Sequence, residues 1–304
     1  MSEPSGPELT SVRSPKVKAA RQLAKRALRL RARSFLAEGP QAVGEALAHG
    51  GVVSQLFITA AARARHAELA DEATRQGVPI QAVSGEVMAG LAQTITPQGV
   101  LAVCRYVDIP LRRLAAAAPR LVVILASVRD PGNAGTVLRT ADAAGADGVI
   151  FTDASVDPYN SKCVRATAGS LFHLPLVVDA PAAEAVSEMR EAGLRILAAD
   201  GRADRSLDDA DLGGPGGLLG RPTAWLFGNE AWGLPADVLA LADDVIAVPI
   251  YGKAESLNLA AAAAVCLYTS ARAARASQPS PAGGTPSARV SQVSRAPSTG
   301  VPRE

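Results

Sequence analysis

Short apolar runs, broken by glycine, proline or polar residues, recur along most of the chain at intervals that suit alternating strands and helices. The stretch from Lys16 to Phe35 differs. Ala20, Leu23, Ala27 and Leu30 fall on one face of a helical pattern there, and basic residues cover much of the rest. Over residues 16–106 this basic helix leads into a small α/β layer structure. The pattern predicts helix at Ala42–Ala48, strand at Val53–Ile58, helix at Arg63–Gln76, strand at Val78–Ala82, helix at Gly85–Ala92 and strand at Gly99–Tyr106. Residues 107–119, interrupted by Pro110 and Pro119, read as a linker.

A second β-α series occupies residues 120–270. Strands are expected at Leu121–Ala126, Gly148–Phe151, Leu174–Val178, Leu194–Ala199, Thr223–Phe227 and Val245–Val248. Helices are expected after an Asn133 cap, within Asp157–Ala168, and at Ala182–Ala192, Pro235–Leu241 and Leu257–Ser270, with a glycine-rich loop at Gly213–Gly220. Continuous apolar strands joined by helices imply a parallel sheet buried on both faces. Residues 1–15 are rich in Ser, Pro and Glu and residues 271–304 in Pro, Ser and Gly, so both ends are expected to be disordered.

Composition changes this picture little: 48% hydrophobic, 20% charged and only 4% aromatic residues describe a globular chain with an Ala, Leu and Val core. The net charge of +2 matters less than its distribution. Nine Lys or Arg lie between Arg13 and Arg33 without an acidic neighbour, either as a solvated face or as a surface for a polyanion. The functional reading makes Lys16, Lys18, Arg21, Lys25, Arg26 and Arg29 contacts to nucleic-acid phosphates. Cys104, Cys163 and Cys266 are too far apart for a zinc motif, no segment reads as a signal peptide or a membrane span, and a cytoplasmic protein with no metal is expected. His49 and His66 are isolated, and chain order identifies no acid partner for His173.

Candidate chemistry concentrates in Trp225–Leu234, W-L-F-G-N-E-A-W-G-L, and Val248–Leu259, V-P-I-Y-G-K-A-E-S-L-N-L. Each begins apolar and then breaks into glycine and polar groups, as a buried strand does where it opens into a binding loop. No G-x-G-x-x-G, P-loop, His-x-x-x-His or G-x-S-x-G pattern accompanies them. What remains is Asn133, Arg139, Asn229, Glu230, Ser256 and Asn258, at expected strand-to-helix junctions. Each alone serves equally well as a cap or loop former; together they supply a cation, a carboxylate, amides and a hydroxyl, a set suited to a phosphate and a sugar hydroxyl beside a cofactor.

N-A-G-T-V-L-R-T-A from Asn133 to Ala141, together with those two stretches, resembles the three ordered signatures of the SpoU (TrmH-like) family of RNA 2'-O-ribose methyltransferases, in the SPOUT class. The resemblance covers residues 14–270, since S-P-K-V-K-A-A-R-Q-L-A and F-L-A-E-G-P-Q-A-V are similar to the family's substrate-binding domain. It implies a C-terminal catalytic domain with a deep trefoil knot around a mostly parallel sheet, and an N-terminal α/β domain resembling a ribosomal-protein fold. It also implies S-adenosylmethionine held at Gly228, Val248, Ile250 and Leu257, and a homodimer. Arg139 becomes the central catalytic residue, with Asn133, Glu230, Ser256 and Asn258 completing the site. Arginine is too basic to accept a proton readily, so Arg139 reads as an electrostatic activator and phosphate clamp rather than a general base.

A departure lies at Ala231–Trp232, where the family usually continues from Glu230 with glycine; Trp232 reads as dimer-interface packing first, and otherwise as narrowing the pocket or stacking on a base. The implied substrate is 23S ribosomal RNA; alternatives are a tRNA ribose, a resistance-conferring rRNA methylation, or a non-catalytic RNA-binding role.

Overall fold

Pairing of the apolar runs produces two sheets. The computed structural model describes residues 7–211 and 217–277. The N-terminal unit runs through α1 (Pro15–Gln22), α2 (Arg26–Ala32), β1 (Ser34–Glu38), α3 (Pro40–His49), β2 (Val53–Ile58), α4 (Ala60–Arg65), α5 (Ala67–Arg75), β3 (Ile80–Ala82), α6 (Gly85–Leu91) and β4 (Val100–Arg105). Its strand order is β1-β4-β2-β3, with β4 antiparallel to both neighbours and β2 parallel to β3. Period-two alternation splits β1 between two cores: Leu36 packs with Val17, Val87 and Met88, whereas Phe35 and Ala37 face the larger cluster shared with the second sheet.

The chain continues through α7 (Leu111–Ala116), β5 (Leu121–Leu125), α8 (Pro131–Ala144), β6 (Gly148–Thr152), α9 (Ser161–Ala166), β7 (Leu176–Ala180), α10 (Ala182–Glu191), β8 (Arg195–Ala199), α11 (Leu207–Asp211), β9 (Thr223–Phe227), α12 (Ala236–Leu239), β10 (Asp244–Ile246) and α13 (Leu259–Ala276). The six strands are ordered β10-β8-β9-β5-β6-β7, and every pairing is parallel, as the apolar runs imply. β5 and β9 are buried along their whole length. Leu121, Val123 and Leu125 face the core shared with α8 and α13, and Val122 and Ile124 face the core shared with α10 and α12. The carboxyl ends of β5, β8, β9 and β10 therefore open on one edge, where parallel sheets place their ligands.

Several expectations change. The single basic helix is two, α1 and α2, because the chain turns at Leu23–Lys25, where Arg29 Nη1 donates to the carbonyls of Leu23 and Ala24 at 2.9 Å each. Ala20 and Leu23 are buried as that pattern requires, but Ala27 and Leu30 are exposed. The helix expected at Arg63–Gln76 is divided at His66, whose backbone leaves the helical region.

Residues 107–119 are not a bare linker: Leu111 and Leu114 of α7 pack into the second core, and Asp108 pairs with Leu176. Of residues 1–15, Leu9 extends the small sheet by bonding Ala82 and Ser84, while residues 1–6 lie outside the described residues. The last helix continues to Ala276, past the expected start of the tail at residue 271; residues 278–304 lie outside the described residues, as do 212–216 of the glycine loop.

Side chains lock the two units together. Tyr159 stacks on Tyr106 with ring centroids 3.8 Å apart and lies 4.8 Å from the Phe35 ring. Its hydroxyl accepts from the Val107 and Asp108 amides and donates to the Asp108 carboxylate.

Candidate active site

The loop after β9 is shaped by backbone contacts. Asn229 and Gly233 exchange N–H···O bonds of 2.8 and 2.9 Å, closing a tight turn around Glu230, Ala231 and Trp232. Gly233 has φ +77°, a conformation that favours glycine. At Gly228 a Cβ would lie 2.5 Å from the Leu234 nitrogen and 2.6 Å from the Gly233 oxygen, so only glycine permits this crossing. The Asn229 side chain donates to the Ser127 carbonyl at 3.0 Å and accepts from the Ala231 amide at 2.8 Å, tying the loop to the turn after β5. Ala231 is not among the residues with positive φ, so it fits where the family usually has glycine.

The N-cap of α8 is Asp130, not Asn133. Its carboxylate accepts from the Asn133 amide at 2.7 Å, and Pro131 follows at the first helical position. The Lys162 ammonium, 2.7 Å away, and then the Asn133 amide hold the Asp130 carboxyl below its usual range. With the cap supplied by Asp130, the Asn133 side chain is available elsewhere. Its Nδ2 donates to Glu230 at 3.1 Å and its Oδ1 accepts from Asn258 Nδ2 at 3.0 Å. Glu230 also accepts from the amides of Arg129 and Asp130, at 3.5 and 3.3 Å, where the partial positive end of α8 favours a carboxylate. Asn258 in turn caps α13 through Ala260 N at 2.9 Å. One chain of hydrogen bonds thus joins the three signature segments.

Beside that chain lies a cavity of about 610 Å³. Gly228, Asn229, Glu230, Val248, Ile250, Ser256, Leu257 and Asn258 line it, so the structure brings eight of the sequence-derived candidates to one place. Asn133 joins them by hydrogen bonds. Arg139 does not: it is exposed on α8, six residues beyond Asn133 and so roughly 9 Å further along the axis. It makes no hydrogen bond or ion pair among the described residues.

The lining suits S-adenosylmethionine. Phe227, Ile246, Val248 and Leu259 offer apolar surface to a ring, and Glu230 and Glu255 offer carboxylates to a cation. Among the described residues no cluster could hold a metal ion. The three cysteines are buried, and burial pushes the Cys104 and Cys266 thiols up to about 12, away from reactive thiolate character.

The basic candidates divide. Lys18, Arg21 and Lys25 are exposed; Lys16 donates to Gln81 at 3.0 Å, and Arg26 pairs with Asp179 at 3.3 Å. Arg29 cannot face RNA: it is 4% exposed and bound to Asp157 at 2.6 Å. His173 does have acid partners, Asp142 at 2.7 Å and Glu45 at 3.0 Å. Asp130 was also missed as a cap, although Asp-Pro ahead of a helical pattern is a legible start signal. Asp200 and Arg202 gave no sequence signal, because their place in the cavity depends on β8 lying beside β9.

Residues 120–268 match the model of the SpoU rRNA Methylase family, and residues 14–102 match the MRM3-like substrate binding domain. The chain is 33% identical over 264 residues to the 23S rRNA (guanosine(2553)-2'-O)-methyltransferase RlmP of Bacillus subtilis (strain 168), covering 86% of this chain and 98% of that protein. It is 33% identical over 257 residues to the 23S rRNA (uridine(2479)-2'-O)-methyltransferase of Streptomyces viridochromogenes, covering 82% and 86% of the two chains. Among solved structures, an AdoMet-bound rRNA methyltransferase from Sinorhizobium meliloti superimposes with a TM-score of 0.74 at 32% identity, over 88% of this chain and 97% of that one.

Proposed function

The chain belongs to the SpoU rRNA methylase family, and from that premise we propose that its S-adenosylmethionine-dependent ribose 2'-O-methylation is directed at 23S ribosomal RNA. The observation that carries the site assignment is the hydrogen-bonded chain Glu230–Asn133–Asn258 along the wall of the cavity. The ribosomal substrate is supported by relatives named as 23S rRNA methyltransferases, which are matched through the N-terminal unit as well as the catalytic one.

In this reading Gly228, Val248, Ile250 and Leu257 hold the cofactor, which supplies a methyl group on a positively charged sulfur. Glu230, Ser256, Asn133 and Asn258 position the ribose beside it. When bound there, the cofactor would supply its methyl group to the ribose oxygen, and the hydroxyl proton would leave to solvent. Arg139 stabilises the negative charge that develops on that oxygen and clamps the adjoining phosphate. No residue needs to be a covalent nucleophile.

Arg139 stands outside its own cavity, and this supports a homodimer in which each site combines one subunit's cavity with the other's Arg139. The α13 face bearing the exposed Val265 and Tyr268 supports the same arrangement. The family's knotted chain path belongs to the reading too. Lys18, Arg21 and Lys25, with Lys16 and Arg26 at their margins, form the phosphate-contacting surface. Among the described residues no helix is long and apolar enough to cross a membrane.

The test is incubation with methyl-labelled S-adenosylmethionine and separated pools of 23S rRNA, 16S rRNA and tRNA. Label should enter the 23S pool; label confined to tRNA would reject the ribosomal assignment.

A further inference from the structure

A second cavity, about 650 Å³, opens beside the first. The two share Asp200, Arg202 and Trp232, so these three residues form the wall between them. Trp232 is 57% exposed. An indole left that far in water forgoes the burial that large aromatic side chains ordinarily obtain.

Its surroundings hold the loop that presents it. The Asn229–Gly233 backbone pair closes that loop, and the guanidinium of Arg202 lies against it, 3.6 Å from the position of a Cβ on Gly233. Arg202 is fixed in turn by two bonds to the Asp200 carboxylate, at 3.0 and 2.7 Å, and that carboxylate is 7% exposed. The neighbouring Leu234 and Leu239 give the second cavity an apolar floor.

Charge decides what this groove can take. Arg202 is matched by Asp200 and Arg205 by Asp244, at 2.7 and 2.9 Å, and Asp204 adds a further carboxylate. A phosphate gains little from guanidinium groups already neutralised. A flat, uncharged ring with donors and acceptors on its edge suits the groove better: its face stacks on the indole and its edge meets carboxylate and guanidinium groups.

We propose that Trp232, braced by the Asp200–Arg202 pair, is the stacking platform for a nucleobase of the RNA substrate, that of the nucleotide whose ribose enters the adjoining cofactor cavity. The inference rests on the RNA methyltransferase reading above. Taking the base out of its stack costs free energy, and a new aromatic partner recovers part of it. Trp232 is then a positioning and specificity residue that takes no part in methyl transfer.

The experiment compares full-length wild type with Trp232→Ala and Trp232→Phe, measuring kcat and KM for RNA and, by calorimetry, Kd for S-adenosylmethionine. Trp232→Ala should raise the KM for RNA on the order of tenfold with cofactor Kd unchanged, and Trp232→Phe should recover most of the loss. Trp225 is fully buried and bonded to Ser270, so tryptophan quenching reports mainly on Trp232. RNA should quench it and cofactor alone should not. Weakened cofactor binding with an unchanged KM for RNA would make Trp232 a wall of the cofactor site and overturn the proposal. So would a monomeric Trp232→Ala protein, which would make the indole a subunit contact, or a variant indistinguishable from wild type. Wild-type protein that methylates no RNA would instead remove the underlying reading, a separate outcome.

Discussion

Arg29 and Arg139 carry the same guanidinium on two helices of one chain, yet the first is buried against Asp157 and the second has no partner among the described residues. Arg29→Ala would leave the Asp157 carboxylate buried beside a lost counter-charge and should cost about 3–5 kcal/mol of stability in urea denaturation. Its RNA affinity, per folded molecule, should not change. Arg139→Ala should leave stability within about 0.5 kcal/mol and lower methyl transfer on the order of a hundredfold or more. At this scale the sequence is legible where placement follows a motif: Gly228, Glu230 and Asn258 meet at one cavity. It misleads where a partner lies far along the chain, as Asp157 does from Arg29, 128 residues away. Nothing in a run of nine basic residues distinguishes the one that turns inward.

Elements are legible in the sequence where burial is uniform and obscure where short segments join the two sheets. β5 and β9 are continuous apolar runs and lie within a residue of their expected bounds. α7 was hidden between prolines because only Leu111 and Leu114 anchor it. The break between α1 and α2 depends on Arg29 turning back on the chain, which no periodicity reports.

His173 is a further joint of this kind, bridging Glu45 of α3 and Asp142 of α8. Each ring nitrogen faces a carboxylate oxygen, so both contacts are satisfied only when the ring carries two protons. Burial pulls its pKa down, but the hydrogen bonds to Glu45 and Asp142 and their charges more than offset this, and the net shift is upward. A raised folded-state pKa gives a contribution that is fully present below the ordinary histidine value of about 6.5 and is lost as pH rises through the folded value. Other charged or titratable groups on the two helices are His49 on α3 and Arg139 on α8. The stability difference between wild type and His173→Gln should therefore shrink as pH rises through that range, and it should be modest because the ring is partly exposed. A difference independent of pH would mean that the ring acts by packing alone.

Arg139 lies on α8 apart from the cofactor cavity, and the proposed homodimer would bring one subunit's Arg139 to the cavity of the other. Mixing Arg139→Ala with Gly228→Ala, refolding them together and isolating the mixed dimer tests the arrangement. Each variant alone should be nearly inactive. The mixed dimer should regain activity, since one of its sites unites an intact cavity with an intact Arg139 from the other subunit. If each site lay within one subunit, the mixed dimer would stay inactive.

Alkaline hydrolysis of labelled product reads directly whether the methyl group goes to a ribose oxygen of RNA. Alkali cleaves RNA through the 2'-hydroxyl, so a 2'-O-methylated nucleotide blocks cleavage on its 3' side. The labelled methyl should appear in an alkali-stable dinucleotide. Label released in single nucleotides, on a base, would rule out transfer to the ribose.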